Sequence, residues 1–125
     1  GNANRLVITN GGTVFASNNV FLGYDAASLN NRLVTDGGTL RVANTSGTGT
    51  LDLRRGTNVL NSGANDVDQL VMTNALGIFE FNGGTLITRT ATISNGLDFL
   101  VGATPGFAPA TWDVRSNATP TTLPT

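Results

Sequence analysis

Apolar and polar residues alternate along most of the chain, in short runs separated by clusters of glycine, asparagine, aspartate or serine. Leu51 and Leu53 fall on one side of an extended segment, whereas Asp52 and Arg54 fall on the other. Residues 79–81 and 110–115 alternate in the same way, so that two phenylalanines oppose a glutamate and a tryptophan opposes an aspartate. The pattern predicts strands with one face toward a core and the other toward water.

Thirteen strands are predicted, and no helix is expected, because no ten-residue window free of glycine or asparagine has helical apolar spacing. The predicted strands cover residues 5–8, 13–16, 19–23, 32–35, 39–42, 50–53, 57–60, 67–72, 77–81, 85–88, 91–93, 98–101 and 110–114. The chain is therefore expected to be all-β.

A glycine-threonine turn recurs along the chain, ending at Thr13, Thr39, Thr57 and Thr85, and at all but Thr57 a second glycine precedes it. The phrase Asn-Arg-Leu-Val also recurs, at residues 4 and 31. A period of 26–27 residues leaves room for three short strands and three turns, which is one coil of a three-sided parallel β-helix. Asparagines near the turns, such as Asn31, are expected to stack between coils.

We expect a right-handed, single-stranded parallel β-helix (a β-solenoid) of about five coils, which would form a rod roughly 20 Å tall. A β-sandwich also uses short strands, but it pairs them through hairpins. The solenoid is expected to cover residues 1–115, and residues 116–125, rich in proline and threonine, to form a tail or linker.

Composition adds limits to this picture. Only 12% of the residues are charged and the net charge is −1, which gives no electrostatic basis for binding nucleic acid. No apolar run approaches the roughly 20 residues of a membrane span, so membrane insertion is not expected. The absence of cysteine fits a secreted bacterial protein. Because the chain begins without methionine and directly in a repeat-like phrase, we expect a piece of a longer protein.

Histidine, cysteine and lysine are all absent, which removes the usual general base, the thiol and amine nucleophiles and most transition-metal sites. We expect no enzyme activity, no catalytic residue, no cofactor and no bound metal. Asp66 and Asp68 lie two positions apart and would share a face of an extended strand, either as an acid/base or Ca²⁺ pair or as two solvated carboxylates. The Gly-Gly pairs are followed by threonine and lack the Gly-x-Asp spacing of Ca²⁺-binding nonapeptides.

The two aromatic residues that occur once each are read differently. Trp112 alternates with Asp113 and is expected in the core, whereas Tyr24 follows a glycine at a corner and is expected at the surface. Tyr24, Asp66 and Asp68 are the candidate surface-contact residues. Thr88, Thr90 and Thr92 form one Thr-x-Thr-x-Thr row, for which β-propensity and surface hydroxyls are a sufficient explanation.

The repeated phrases resemble the autotransporter-associated β-strand repeats of large bacterial surface proteins of the autotransporter-passenger type. The resemblance lies in residues 4–14, 20–25, 49–57, 81–86, 94–102 and 110–114, for example in Asn-x-Leu-x-Ile-x-Asn-Gly-Gly-Thr-Val at residues 4–14. It implies a right-handed β-helix, secreted or anchored at the cell surface, that serves as a stalk, an adhesin or a fibre element. The chain departs from the pattern after Val114, where another Gly-Gly-Thr turn would be expected.

Three functions follow as hypotheses. The first is a structural segment of an extracellular bacterial protein, whose partner is a neighbouring repeat or a second copy meeting it at the coil ends. The second is an adhesin or glycan-binding module that contacts glycans or a cell surface, with Tyr24 as the first residue to mutate. The third, a polysaccharide-degrading β-helix, needs several acids on one face, whereas the eight acids here are spread from Asp25 to Asp113.

Overall fold

A computed structural model of the chain describes residues 1–102 and 104–115; the expected tail at residues 116–125 lies outside this range. The described part contains nine strands and no helix, hence no helix long and apolar enough to cross a membrane. The strands are β1 (Arg5–Thr9), β2 (Thr13–Ala16), β3 (Asn19–Leu22), β4 (Asn31–Val42), β5 (Thr50–Leu53), β6 (Gly56–Met72), β7 (Gly77–Phe81), β8 (Gly84–Ile93) and β9 (Ala110–Val114).

Every strand pairing is parallel and joins one circuit of the chain to the next, which confirms the predicted β-solenoid. The first side of the solenoid stacks β1, residues 31–36, residues 56–60 and β7. The second side stacks β2, residues 39–42, residues 64–67, residues 84–88 and β9. The third side stacks β3, β5, residues 69–72 and residues 90–93.

The thirteen predicted strands become nine for a simple reason. Three pairs of predicted strands merge, because β4, β6 and β8 each run through the corner between two sides without leaving the ladder. The predicted strand at residues 98–101 is reduced to a single bridge between Phe81 and Val101. The chain makes about four turns, not about five, because the last circuit adds to the ladder only this bridge and β9.

The Gly-Gly-Thr turns mark one corner, between the first and second sides. Equivalent positions after this corner are Thr13, Thr39, Ala64, Thr85 and Thr111, so successive circuits contain 26, 25, 21 and 26 residues. The Gly56-Thr57 turn is not part of this series, because Gly56 pairs with Asn31 at the start of the first side. Grouping all four glycine-threonine turns together was therefore wrong, and it produced the irregular spacing around Thr57.

Leucine fills most of the interior. The side chains of Leu40, Leu51, Leu60 and Leu86 are fully buried, and the predicted inward positions Phe79 and Phe81 are also buried. The residues between them point outward, as Glu80 does. Partly buried apolar residues of the first and last circuits pack against this core: Val14, Ala16, Val20, Ile93, Phe99, Ala110 and Trp112.

Two asparagines and a threonine lie inside the core. Asn65 is fully buried; its Oδ1 accepts a hydrogen bond of 2.8 Å from Thr35 Oγ1, and its Nδ2 lies 3.4 Å from Asn58 Oδ1. Asn58 Nδ2 has no hydrogen-bond partner among the described residues. These amides occupy ladder positions that hold leucine one circuit earlier, namely Leu33 and Leu40. The third circuit thus places two amides in a core that is leucine at the same positions of the second circuit.

Two finer sequence expectations change in the structure. The threonine row is split, because Thr88 points into the core and is fully buried, whereas Thr92 is exposed. The corner between the second and third sides causes the split. Trp112 is half-buried instead of fully buried; its Nε1 donates to Thr88 Oγ1 at 3.0 Å, and its ring centroid lies 5.0 Å from that of Phe99.

Candidate functional site

An aromatic and cationic cluster lies at the end of the first circuit. Val20 and Leu22 of β3 face inward, so strand alternation turns Phe21 outward. Tyr24 follows at the corner, and its ring meets Phe21 edge-on at 4.9 Å. The guanidinium of Arg54, from the next circuit, lies 4.7 Å from both ring centroids. We call Phe21, Tyr24 and Arg54 the aromatic cluster.

Arg54 is held in place by the carboxylate of Asp52, which lies in β5 two residues earlier. Its Nε donates to Asp52 Oδ2 at 2.9 Å, and this hydrogen bond raises the pKa of Arg54 above its ordinary value. Asp52 is buried at 8% exposure, and its second carboxylate oxygen has no hydrogen-bond partner among the described residues. The two residues lie on the same face, as the alternation predicts, and form an ion pair there. The pair fixes the guanidinium near the rings, where its positive charge is attracted to the electron-rich ring faces.

A cavity of about 440 Å³ opens beside the cluster at the free edge of the first circuit, and we call it the end cavity. Its apolar wall includes Leu6 and Leu22, whose ladder neighbours in later circuits are core residues. Its polar wall includes Arg5, Asp25 and Asn31. The cavity is therefore the uncovered interior of the solenoid, extended onto the corner that carries Tyr24.

Of the two arginines near the end cavity, one has an ion-pair partner in the described part of the chain and the other has none. Arg32 lies 3.9 Å from Glu80, two circuits further along the first side. Arg5 stacks beside Arg32 in the ladder and has neither an ion-pair nor a hydrogen-bond partner among the described residues. Asn31 is engaged, because its Oδ1 accepts from the backbone N–H of Asn4 at 2.8 Å. This is one of the asparagine contacts between circuits that the sequence predicts.

Of the three candidate surface residues, only Tyr24 lies at this site. Its side chain is 57% exposed, and it lines the end cavity. Asp66 lies on the second side and pairs with Arg41 at 2.8 Å. Asp68 is 2% exposed, so its expected place at the surface is wrong. The two aspartates do not share an open face, because the strand turns a corner between them.

Asp68 anchors a loop instead of contacting solvent. Its Oδ2 accepts hydrogen bonds from the backbone N–H groups of Asn44 at 2.9 Å and Gly49 at 3.0 Å, which open and close the loop at residues 43–49. Its Oδ1 accepts from Arg89 Nε at 3.1 Å. One carboxylate therefore joins three circuits.

A parallel β-solenoid is the class of protein that the fold defines. A scan against protein-family models, a search of curated proteins and a search of solved structures each found no match. Within residues 1–102 and 104–115, histidine, cysteine and acidic side chains form no group of three or more that could hold a metal ion.

Sequence reasoning missed two members of the aromatic cluster, although the signal was present. Phe21 lies between two inward apolar residues, so strict alternation places it outside, three residues before Tyr24. The approach of Arg54 had no such signal, because it depends on the length of the corner between the first and second circuits. The sequence therefore indicates the two aromatic members of the cluster but not Arg54.

Proposed function

We propose that this chain is a non-enzymatic structural segment of an extracellular bacterial surface protein, acting as a stalk or fibre element. The observation that carries the proposal is the uninterrupted parallel ladder, in which circuits are joined along the rod and the core between them is filled mainly by leucine. Such an object keeps its length without a ligand, since each circuit buries its apolar face against its neighbours.

The state of the carboxylates supports a role without catalysis. Asp52, Asp66 and Asp68 each pair with an arginine and serve the packing of the coils. Of the acids without an arginine partner in the described part, Asp25 and Asp98 lie at opposite ends of the solenoid, and Asp36 lies in the second circuit, where it accepts a hydrogen bond from Ser62. General acid–base chemistry on polysaccharides needs two carboxyl groups about 5–10 Å apart on either side of the bond.

The surface location rests on the resemblance of the repeats to autotransporter-type passengers. It is tested by treating intact cells of the source bacterium with a protease that cannot enter them and probing with an antibody against this chain. Loss of the antigen from intact cells is expected. Protection in intact cells, with loss only after lysis, would contradict the location.

A mechanical measurement tests the structural role. The chain has no cysteine, so handles can be attached through cysteines introduced at two exposed end positions, Asn2 and Leu100. We expect the folded length to persist under load until extension occurs in discrete steps. Each step should release one circuit of 21–26 residues, roughly 70–90 Å of chain. Smooth extension without steps from the lowest force would contradict a load-bearing role.

A second candidate, a glycan-binding module, is favoured by the exposed ring of Tyr24 beside the end cavity. An aromatic face next to the charged side chains of Arg5 and Asp25 offers both stacking and hydrogen bonds to a sugar. The test is a glycan array probed with the wild-type chain, Tyr24→Ala and Phe15→Ala. Phe15 is the matched control, because it is 60% exposed in the same circuit but does not line the cavity. Binding lost only in Tyr24→Ala would support this candidate over the structural one.

A further inference from the structure

The two ends of the ladder are complementary to each other. On the first side, one inward ladder runs Leu6, Leu33, Asn58 and Phe79, and a second runs Ile8, Thr35, Leu60, Phe81 and Val101. Their inner apolar members are buried, with Leu33 at 3% and Phe81 at 3% exposure. Two of the four end members are exposed, Leu6 at 47% and Val101 at 44%, whereas Ile8 is 3% and Phe79 is 8% exposed. The first ladder therefore leaves apolar surface open at Leu6, and the second ladder leaves it open at Val101, at the opposite end.

The second side repeats this arrangement. Its outward ladder contains Thr13, Thr39, Ala64, Thr85 and Thr111, and its inward ladder contains Val14, Leu40, Asn65, Leu86 and Trp112. In the described part, β2 pairs only with β4 and β9 pairs only with β8. Each end thus presents a parallel strand edge with unpaired backbone groups, which is a template for another strand.

The charges at the two ends have opposite signs in the same register. Arg5 is the one arginine of seven with no partner among the described residues. Its ladder continues through Arg32, Thr57 and Ile78. Counting back three positions from the bridge between Phe81 and Val101 places Asp98 next in this ladder. Asp98 also has no ion-pair partner in the described part.

From this match we propose that a second copy of this chain docks head to tail. Phe99 and Val101 of one copy then continue the ladders of Leu6 and Ile8 in the next, and β9 pairs with β2. Asp98 comes opposite Arg5, which relieves the repulsion between Arg5 and Arg32. This inference rests on the proposed structural role and names its partner. Because the contact is heterologous and does not close, copies add into a filament.

Sedimentation velocity over a concentration series tests the docking with the full chain. We expect species heavier than 12.9 kDa whose size grows with concentration. Arg5→Asp and Asp98→Arg should each weaken association by roughly threefold to thirtyfold, because an attractive cross-strand pair becomes a repulsive one. The variant that carries both substitutions should recover most of the loss. Asp36→Arg is the control: it makes the same charge change as Asp98→Arg in the second circuit, away from both ends, and should leave association unchanged.

Each other outcome overturns the proposal in a distinct way. A chain that stays monomeric at every concentration excludes head-to-tail docking, while the stepwise extension under load still tests the structural role independently. Association that ignores both charge reversals would mean contact through the lateral faces. Oligomers that dissolve on addition of a mixture of neutral and uronic-acid oligosaccharides would assign the end cavity to a glycan. Circular dichroism of each variant separates lost docking from lost folding.

Discussion

At the scale of single residues, the least expected feature is a group of three buried polar side chains, Thr35, Asn58 and Asn65, that form hydrogen bonds with each other inside a leucine core. A buried hydroxyl or amide is expensive to leave unpaired, costing about 1–3 kcal/mol. Asn65 forms two hydrogen bonds within the group, whereas the side-chain nitrogen of Asn58 has no partner among the described residues. Neighbouring residues of the same type therefore differ in what they contribute to stability.

Substituting these two asparagines by leucine should show the difference. Asn65→Leu leaves the Thr35 hydroxyl and the Asn58 amide without a partner, so we expect a loss of about 2–4 kcal/mol in the free energy of unfolding. Asn58→Leu removes the unpaired Asn58 nitrogen but leaves the Asn65 nitrogen without its acceptor, and it adds apolar volume between Leu33 and Phe79, so the net change should stay within about 1 kcal/mol. Urea denaturation measures both. Equal losses would contradict this reading of the core.

A glycine at the corner of the third circuit gives a second prediction at this scale. Gly63 has a φ of 85°, and a Cβ there would run into the carbonyl oxygen of Gly38 in the preceding circuit. Gly96 has a similar φ of 78°, but a Cβ there would meet nothing within 4 Å. Gly96→Ala should therefore cost only the backbone strain, about 1–2 kcal/mol. Gly63→Ala should cost at least about 2 kcal/mol more.

Thermal unfolding of the two glycine variants provides the comparison. Because both substitutions add one methyl group at a left-handed position, the difference between them isolates the contact between circuits. A Gly63→Ala variant as stable as Gly96→Ala would mean that the corners of adjacent circuits are not packed as closely as described.

At the scale of elements, the loop at residues 43–49 connects β4 to β5 at the corner between the second and third sides of the solenoid. Within it, Asn44 Oδ1 accepts hydrogen bonds from the backbone N–H groups of Ser46 at 3.0 Å and Thr48 at 3.1 Å. Its two ends are tied to Asp68, which in turn pairs with Arg89. The loop is thus attached to the following circuits by one buried carboxylate.

Removing that carboxylate should detach the loop. Asp68→Ala leaves two backbone N–H groups without an acceptor, so we expect a loss of about 2–4 kcal/mol in unfolding free energy. Amide hydrogen exchange should also become faster at Asn44 and Gly49. Asp66→Ala is the matched control, since it removes an ion pair with the exposed Arg41, worth up to about 1 kcal/mol. Similar effects of both substitutions would contradict the anchoring role.

How far the sequence predicts these elements depends on the kind of signal. Alternation in Leu51 and Leu53 depends only on the two-residue period of a strand, and both are buried as expected. The corners were less accessible, because whether a strand stops or bends at residues 61–63 is decided by stacking on the circuits above and below. Asp68 was misplaced for the same reason: nothing local indicates that a loop 19 residues earlier covers it.

At the scale of the whole molecule, residues 1–102 and 104–115 form a short rod whose first and last strands each have one unpaired edge within that part of the chain. Counted from the start of the second side, its circuits differ in length by up to five residues, yet the ladder positions stay in register because the variation falls in the corners. Arg5 lies in the first strand of the first side, and the register of the bridge between Phe81 and Val101 places Asp98 beyond the last strand of that side. These are the two positions that a neighbouring copy would bring together. The proposed fibre role depends on this property.

Electron cryomicroscopy of the purified wild-type chain tests the account most directly. The account predicts filaments one solenoid wide, with a repeat along the axis near 4.8 Å from the strand spacing. Arg5→Asp prepared in parallel at the same concentration should give fewer and shorter filaments with the same circular dichroism spectrum. Compact wild-type particles that neither elongate with concentration nor show the 4.8 Å repeat would contradict the account.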